Sequence, residues 1–519
     1  MSSKIAKGGL IIVVGNAIFR VGGYIYRFIM AGLLGPASYG ILTTTLQFQG
    51  IFQVLAAGGI PPAIAKYIAE YTALDENALA RQTVYTSLKI MGILGILSGI
   101  IIVFVVAPWL ALDFFNKPEA LLPLQAVGLI TPFSAIVGGF RGSFQGAYKM
   151  EYILYTRGVE QSCMILFATA LVILGFSVFG AVIGSAGAFV ASTIVSIFVF
   201  QKYMVKIIPQ PVEGLKFSLK EELNLAKKII TFSIPVIITA LAEMGIFAIS
   251  TFILAKFLDS RFVGYFGASD PISRLPLIIS SSIATVILPA VAASFAKKNQ
   301  KQLEKYVSQS YRYSLFIIIP MCIGLALFAK PIMELVYFTN LEYTAGAGAL
   351  AILSIGMGFY SLFAVSTGIV QGIGNPRIPM YCLAGGAFLT FILNWIMVPI
   401  YGIVGASTAT TIACFCLMLP MVYLSFKQTK SKFPMQFIVK TLISALLMGV
   451  IIIILPKTVL GLITGIIICP IAYLIFLVLT KTFSLDDLDA IIFYTKKFGP
   501  INKLVKKIVN LIKKVYDKY

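Results

Sequence analysis

The chain contains no histidine. That removes imidazole metal ligands, imidazole general bases and serine–histidine triads together. Acidic residues are scarce, 20 against 41 basic ones, and only two of the 519 residues are tryptophan. The six cysteines (163, 322, 382, 414, 416, 469) form no C-x-x-C pair and lie in or beside apolar runs. A free thiol there packs as a small apolar group, so neither disulfides nor a thiolate metal site is expected. No G-x-x-x-x-G-K-[ST] loop is present, so the chain is not expected to hydrolyse ATP; no cofactor and no metal are implied. The short connections expected on the outer side leave no room for an external domain.

What the chain has is hydrophobic length. Apolar residues make up 59% and charged ones 12%, with a mean hydropathy of +0.95. That composition excludes an ordinary soluble domain. A hydrocarbon core of about 30 Å takes roughly 20 helical residues. About fourteen runs qualify: 8–34, 38–65, 83–107, 120–141, 152–178, 180–203, 229–255, 262–295, 312–329, 346–371, 378–399, 402–425, 436–455 and 459–480. The expected fold is therefore an all-α polytopic membrane protein. The first run lacks a small-residue cleavage site and is read as retained, not as a signal peptide.

The net charge of +21 follows the positive-inside rule. With the N-terminus inside, 33 basic residues fall on cytoplasmic segments, 5 on outer loops, and Arg20, Arg27 and Arg274 inside spans. Both termini are expected in the cytoplasm, and nucleic acid is not expected as a partner.

The runs fall into two copies of one unit. Pro62-Ala63-Ile64-Ala65 recurs as Pro289-Ala290-Val291-Ala292, 227 residues on. Gly142-x-x-Gln145-Gly146 recurs as Gly368-x-x-Gln371-Gly372, 226 residues on. Six spans per copy is an even number, so the repeats should be parallel, related by an axis along the membrane normal. The expected organisation is 1–203 (spans 1–6), a cytoplasmic linker 204–228, 229–425 (spans 7–12), an appended pair at 436–480, and a tail 481–519. Ser218-x-x-Glu221 is a capping-box pattern in the linker. In the tail, Ile501, Leu504, Val505, Ile508, Leu511, Ile512 and Val515 form an apolar stripe among lysines, as in a helix lying on an anionic inner leaflet.

Several polar residues stand where lipid would penalise them. Asn16, Arg20, Gly23 and Arg27 are spaced by 4, 3 and 4 and share one helical face. An intramembrane arginine costs about 2.5–3.5 kcal/mol on insertion scales, so this face should meet protein or a hydrated cavity. It reads as an anion-binding wall or as buried structural charge. Thr45, Gln49 and Gln53 make a second polar face, either helix–helix glue or cavity lining. Glu243 sits mid-span. Asp270 and Arg274 are four apart, bracketed by Pro271 and Pro276, which should break the helix. Arg157 and Glu160 read as a structural pair, and Arg141 as a topology signal.

LLGPASYG (33–40), AGGIPPAIAKYIAEY (57–71), FAKPIMELVYFTNLEYTAGAGAL (328–350), Gln145-Gly146 and QGIGNP (371–376) together resemble the polysaccharide-transporter branch of the multidrug/oligosaccharidyl-lipid/polysaccharide exporter superfamily. The end of span 2 is particularly similar to the stage V sporulation protein B group. The resemblance covers essentially the whole chain. It implies an N-lobe and a C-lobe around a central cavity, alternating access, and flipping of lipid-linked saccharides across the cytoplasmic membrane. In related lipid II flippases, arginines of spans 1, 2 and 8 line the cavity. Here spans 1 and 8 supply Arg20, Arg27 and Arg274, whereas span 2 offers Gln49 and Gln53. The last two spans resemble the pair that forms a tail groove in that group.

The expected function is translocation of a lipid-linked oligosaccharide by a monomer. Arg20, Arg27 and Arg274 would bind phosphate, with Asn16, Thr45, Gln49 and Gln53 on the cargo. Glu243 and Asp270 would balance charge or couple to a cation. The alternative is a cation-coupled multidrug exporter of the same superfamily. A membrane-embedded saccharide polymerase is disfavoured, because no large outer loop or acidic metal motif is present.

Overall fold

The computed structural model describes residues 2–57, 59–204, 208 and 218–482, with side chains at Phe19 and from Val21 onward. The tail stripe 501–515, most of the linker, and the side chains of Asn16 and Arg20 lie outside these residues. Among the described residues every regular element is a helix. In chain order these are α1 (Ser2–Ala57), α2 (Ile60–Ala73), α3 (Asn77–Ile101), α4 (Leu121–Gly146), α5 (Met150–Leu171), α6 (Ser177–Val199), α7 (Leu219–Phe257), α8 (Ser260–Ser273), α9 (Leu275–Ala296) and α10 (Gln300–Leu327). Then come α11 (Ala329–Val336), α12 (Ala347–Gly372), α13 (Arg377–Thr429), α14 (Met435–Ile454) and α15 (Val459–Leu479), with short π- and 3₁₀-helical turns between some of them.

The protein is a multi-span membrane protein. Among the described residues, eleven helical segments are long and apolar enough to cross a bilayer, fewer than the fourteen runs in the sequence. The difference comes from three segments of 53, 55 and 53 residues, Val21–Ala73, Met150–Met204 and Arg377–Thr429. At 1.5 Å per residue each would measure about 80 Å if straight. None is straight. Gly35 (φ 70°, ψ 169°) interrupts the first, Gly175 (φ 94°, ψ 3°) the second and Gly402 (φ 57°, ψ −133°) the third. Positive φ is open to glycine and strained for other residues. At Gly35 the following Pro36 also withholds an N–H, while its fixed φ suits the first turn of the next helical stretch. Gly35 falls in the predicted gap between 34 and 38 and Gly402 opens the predicted run 402–425, whereas Gly175 breaks the helix inside the predicted run 152–178, four residues before the expected turn.

Two further local expectations are met. Ser218 caps α7: its hydroxyl accepts from the Glu221 N–H at 3.3 Å, and the Glu221 carboxylate accepts from the Ser218 N–H at 2.8 Å. Between Pro271 and Pro276 the helix does break, with α8 ending at Ser273 and Arg274 standing at the N-cap of α9.

The chain packs as two compact units, Met1–Ile272 with Val336–Ala349 and Arg377–Leu417, and Ser273–Leu335 with Leu350–Pro376 and Met418–Tyr519. These group residues by packing, whereas the 1–203 and 229–425 halves group them by repeat. The first unit has a core of Ile60, Ile64, Ile68, Met91, Phe140 and Phe144. The second has one core around Val307, Tyr311, Ile369 and Phe426 and another around Phe328, Met448, Leu462 and Tyr473.

Candidate functional site

Within the first unit, the part of α1 after Gly35 and α8 approach until their backbones touch. A Cβ added at Gly40 would lie 1.8 Å from the Ser260 carbonyl oxygen, and one at Gly264 would lie 2.0 Å from that of Pro36. Small residues at such crossings let membrane helices come this close without a hydrophobic driving force. One turn beyond Gly267, the close packing leaves Asp270 only 7% exposed.

The segment 336–346 closes over the same place. The Tyr337 hydroxyl donates to the Ala268 carbonyl and the Tyr343 hydroxyl to the Ala31 carbonyl, both at 2.9 Å. Ser269 donates to the Gly346 carbonyl at 2.8 Å. The rings interlock: Tyr337 and Tyr343 have centroids 4.8 Å apart, Tyr39 meets Tyr343 edge-on at 5.9 Å, and Phe28 meets Tyr337 edge-on at 5.7 Å. Arg27, half-buried on α1, and Asp270 both lie within electrostatic reach of the Tyr39 and Tyr337 hydroxyls. A cation and an anion thus share one tyrosine cluster. A phenol both donates and accepts, so these hydroxyls can serve a cationic or an anionic neighbour.

A second polar place in this unit is a cavity of about 300 Å³ lined by Gln53, Ser134, Arg141, Arg157, Glu160 and Gln161, with Phe19 and Phe189 as apolar walls. Arg141 donates to the Glu160 carboxylate at 2.7 Å, to Ser192 at 3.2 Å and to Thr156 at 3.3 Å. The Arg157 guanidinium lies 5.5 Å from the centre of the Phe19 ring. Gln161 stacks over Gly22, where a Cβ would meet its Cγ at 2.7 Å. Its buried Nε2 has no hydrogen-bond partner among the described residues. Two guanidiniums against one carboxylate leave the cavity net positive, with amide donors and acceptors to spare.

The residues singled out in the sequence are divided among several places. Arg27 and Asp270 come together through their tyrosines. Gln53 lines the polar cavity, beside Phe19, the chain neighbour of Arg20. Thr45 is fully buried and returns its hydroxyl to the Ile41 carbonyl of its own helix at 2.9 Å. Gln49 is 7% exposed, and its Oε1 has no partner among the described residues. Glu243, expected at a sheltered mid-span position, is exposed on α7. Arg274 is half-buried at the start of α9 in the second unit. Glu160 makes a short ion pair with Arg141, at 2.7 Å, which the sequence does not suggest, and also lies within electrostatic reach of Arg157, its expected i, i+3 partner. Arg141 is thus a member of a buried network and not only a topology signal. Sequence reasoning missed Tyr337 and Tyr343. The signal was there in YFTNLEYTAGAGAL (337–350), a polar, small-residue stretch between two apolar runs.

Comparison with known proteins bears on the family and the fold. The profile of the family described as polysaccharide biosynthesis protein matches residues 5–295, and the MatE profile matches 235–396. An uncharacterized membrane protein of Methanocaldococcus jannaschii is 27% identical over 422 residues, covering 81% of this chain and 97% of that protein. The lipid II flippase MurJ of Bacillus subtilis is 24% identical over 466 residues, covering 81% of this chain and 82% of that one. A solved structure of lipid II flippase MurJ in an inward closed conformation aligns with a TM-score of 0.72 at 16% identity, covering 89% of this chain and 97% of that one, a likeness of fold.

Proposed function

The chain belongs to the polysaccharide biosynthesis protein family of the multidrug/oligosaccharidyl-lipid/polysaccharide exporter superfamily, and from that premise we propose that it flips a lipid-linked oligosaccharide across the cytoplasmic membrane. We read it as a monomeric transporter and not an enzyme. It would have fourteen crossings in two six-helix lobes, 1–203 and 229–425, plus the pair at 436–480, both termini in the cytoplasm, and no cofactor or metal.

What supports this reading is Arg27, a half-buried guanidinium inside an apolar helix, within electrostatic reach of the Tyr39 and Tyr337 hydroxyls, as Asp270 also is. The cargo is a polyprenyl phosphate or diphosphate bearing sugars. Drawing its phosphate through lipid strips hydration from a charge, which is prohibitive without a counter-charge. Arg20, Arg27 and Arg274 supply that counter-charge in forked form, matched to phosphate oxygens. Asn16, Gln49 and Gln53 bond the sugar hydroxyls, and Thr45 braces their helix. When cargo leaves, Asp270 takes back the charge of Arg27, and Glu243 serves as a further acidic partner or cation site. The lobes alternate between inward and outward openings. The membrane potential, an ion gradient or consumption of cargo outside provides direction; one charge moved across 100 mV corresponds to about 2.3 kcal/mol.

The MatE match over 235–396 favours a second reading, a cation-coupled drug exporter. The polar cavity opposes it, since Arg141 and Arg157 outnumber Glu160 and repel a cationic drug. The deciding experiment reconstitutes the protein in vesicles carrying a fluorescent polyprenyl-diphosphate oligosaccharide and, in parallel, a cationic dye. Translocation of the saccharide lipid that is lost in Arg27→Ala and Arg274→Ala supports the flippase. Dye export without saccharide translocation overturns it.

A further inference from the structure

The second unit contains a larger cavity, of about 860 Å³, that none of the proposed cargo residues enters. Its walls are α10 from Tyr311 to Ile323, α12 from Ile355 to Leu362, the end of α13 from Met418, and α14 from Ile438 to Leu446. Twelve helical residues separate Tyr311 from Ile323, so the cavity is about 18 Å long, the reach of an extended long-chain acyl group. The lining is aliphatic and aromatic throughout, except at one end. There the Tyr311 hydroxyl is already paired with Ser366 at 2.5 Å and Ser425 at 2.7 Å. Lys427 and Ser431 stand at the same end. The cavity has a lip: Leu419 and Tyr423 of α13 are 50% and 62% exposed, and Leu442 and Leu446 of α14 are 43% and 54% exposed. Those four side chains leave the cavity open at its side, along helices apolar enough to cross a bilayer.

Charge identifies the occupant. Lys427, Lys430 and Lys432 are exposed at the polar end. Against them stands Glu304, whose carboxylate accepts the Lys432 N–H at 3.4 Å. An apolar channel ending in three lysines suits a chain with an anionic head. The chain's own tail segment 501–519 also has an apolar stripe, but it carries six lysines and one aspartate and would be repelled.

We propose that this cavity binds one acyl chain of an anionic bilayer phospholipid, with its phosphate on Lys427, Lys430 and Lys432. The site is separate from the cargo residues and stands or falls without them.

The test uses the full chain in nanodiscs of mostly phosphatidylcholine. A phosphatidylglycerol with a mid-chain diazirine is photolysed, and labelled peptides are mapped. Labelling should fall between Ile355 and Leu362 and between Met418 and Leu446, and exceed that of the matched phosphatidylcholine probe. Neutralisation by Lys427→Gln and Lys430→Gln should each reduce the excess by about fivefold. Leu446→Trp, which plugs the lip from outside the core, should block labelling in either background while the protein elutes unchanged. Equal labelling by both probes, indifferent to the lysine variants, overturns the proposal. So does preferential displacement by polyprenyl phosphate, which would make the occupant the carrier lipid. Labelling that appears only after residues 483–519 are removed overturns it too, because the tail would then be the occupant.

Discussion

The Tyr343 hydroxyl donates to the carbonyl of Ala31, 2.9 Å away and 312 residues earlier in the chain. Ala31 is one helical turn past Arg27 and lies in the last turn before Gly35, where carbonyls run out of in-helix donors. One phenol thus finishes a helix end and ties the 336–346 segment to the arginine-bearing helix. Tyr343→Phe should leave a buried acceptor short of a donor and cost about 1–3 kcal/mol. Chemical unfolding of the purified protein reads the loss, and Tyr337→Phe, which frees the Ala268 carbonyl, should behave alike.

Arg27→Ala should reduce saccharide-lipid translocation at least about tenfold while the protein still inserts and elutes normally, since one charge-assisted contact is worth about 1.5–3 kcal/mol. Arg27→Lys should recover only part of the activity, because an ammonium lacks the planar fork. Wild-type translocation in both variants would remove Arg27 from the cargo path.

Arg141→Ala strands the Glu160 carboxylate, whose side chain is 20% exposed. Breaking a buried pair costs about 3–5 kcal/mol, and partial exposure should place this one at the low end. Arg141→Met with Glu160→Gln removes both charges and should be less destabilising than Arg141→Ala alone. A thermal-shift series on the three variants checks the order.

Gly40→Ala drives a methyl into the Ser260 carbonyl, and the approach of 1.8 Å is between backbone and Cβ, so no side chain can swing away. Loss of folded protein is expected, as judged by size-exclusion recovery. Gly23→Ala, where nothing among the described residues lies within 4 Å, should be recovered like the parent and serves as the control.

The parts of this architecture legible in the sequence are those fixed by local chemistry. Gly35-Pro36 and Gly402 mark breaks because φ and a missing N–H are properties of single residues. Ser218 and Glu221 cap a helix because they are three apart. Pro271 and Pro276 announce the interruption at Arg274. What could not be read is choice of partner among distant residues. Arg141 and Glu160 are 19 apart on different helices, and spacing along one helix points only to Arg157 as a neighbour of Glu160. Tyr337 and Tyr343 look like loop aromatics until α1 and α8 are laid beside them. Glu243 is exposed on α7, which composition alone does not reveal.

The contact at Gly40 and Gly264 has a mechanical consequence. Two rods touching main chain to main chain have no cushion of side chains to shear, so sliding one past the other would mean parting them first. Residues 36–57 and 260–273 should therefore travel together through any transport cycle, carrying Tyr39 and Asp270 as a fixed pair. Paired cysteine cross-links between these stretches should leave turnover intact.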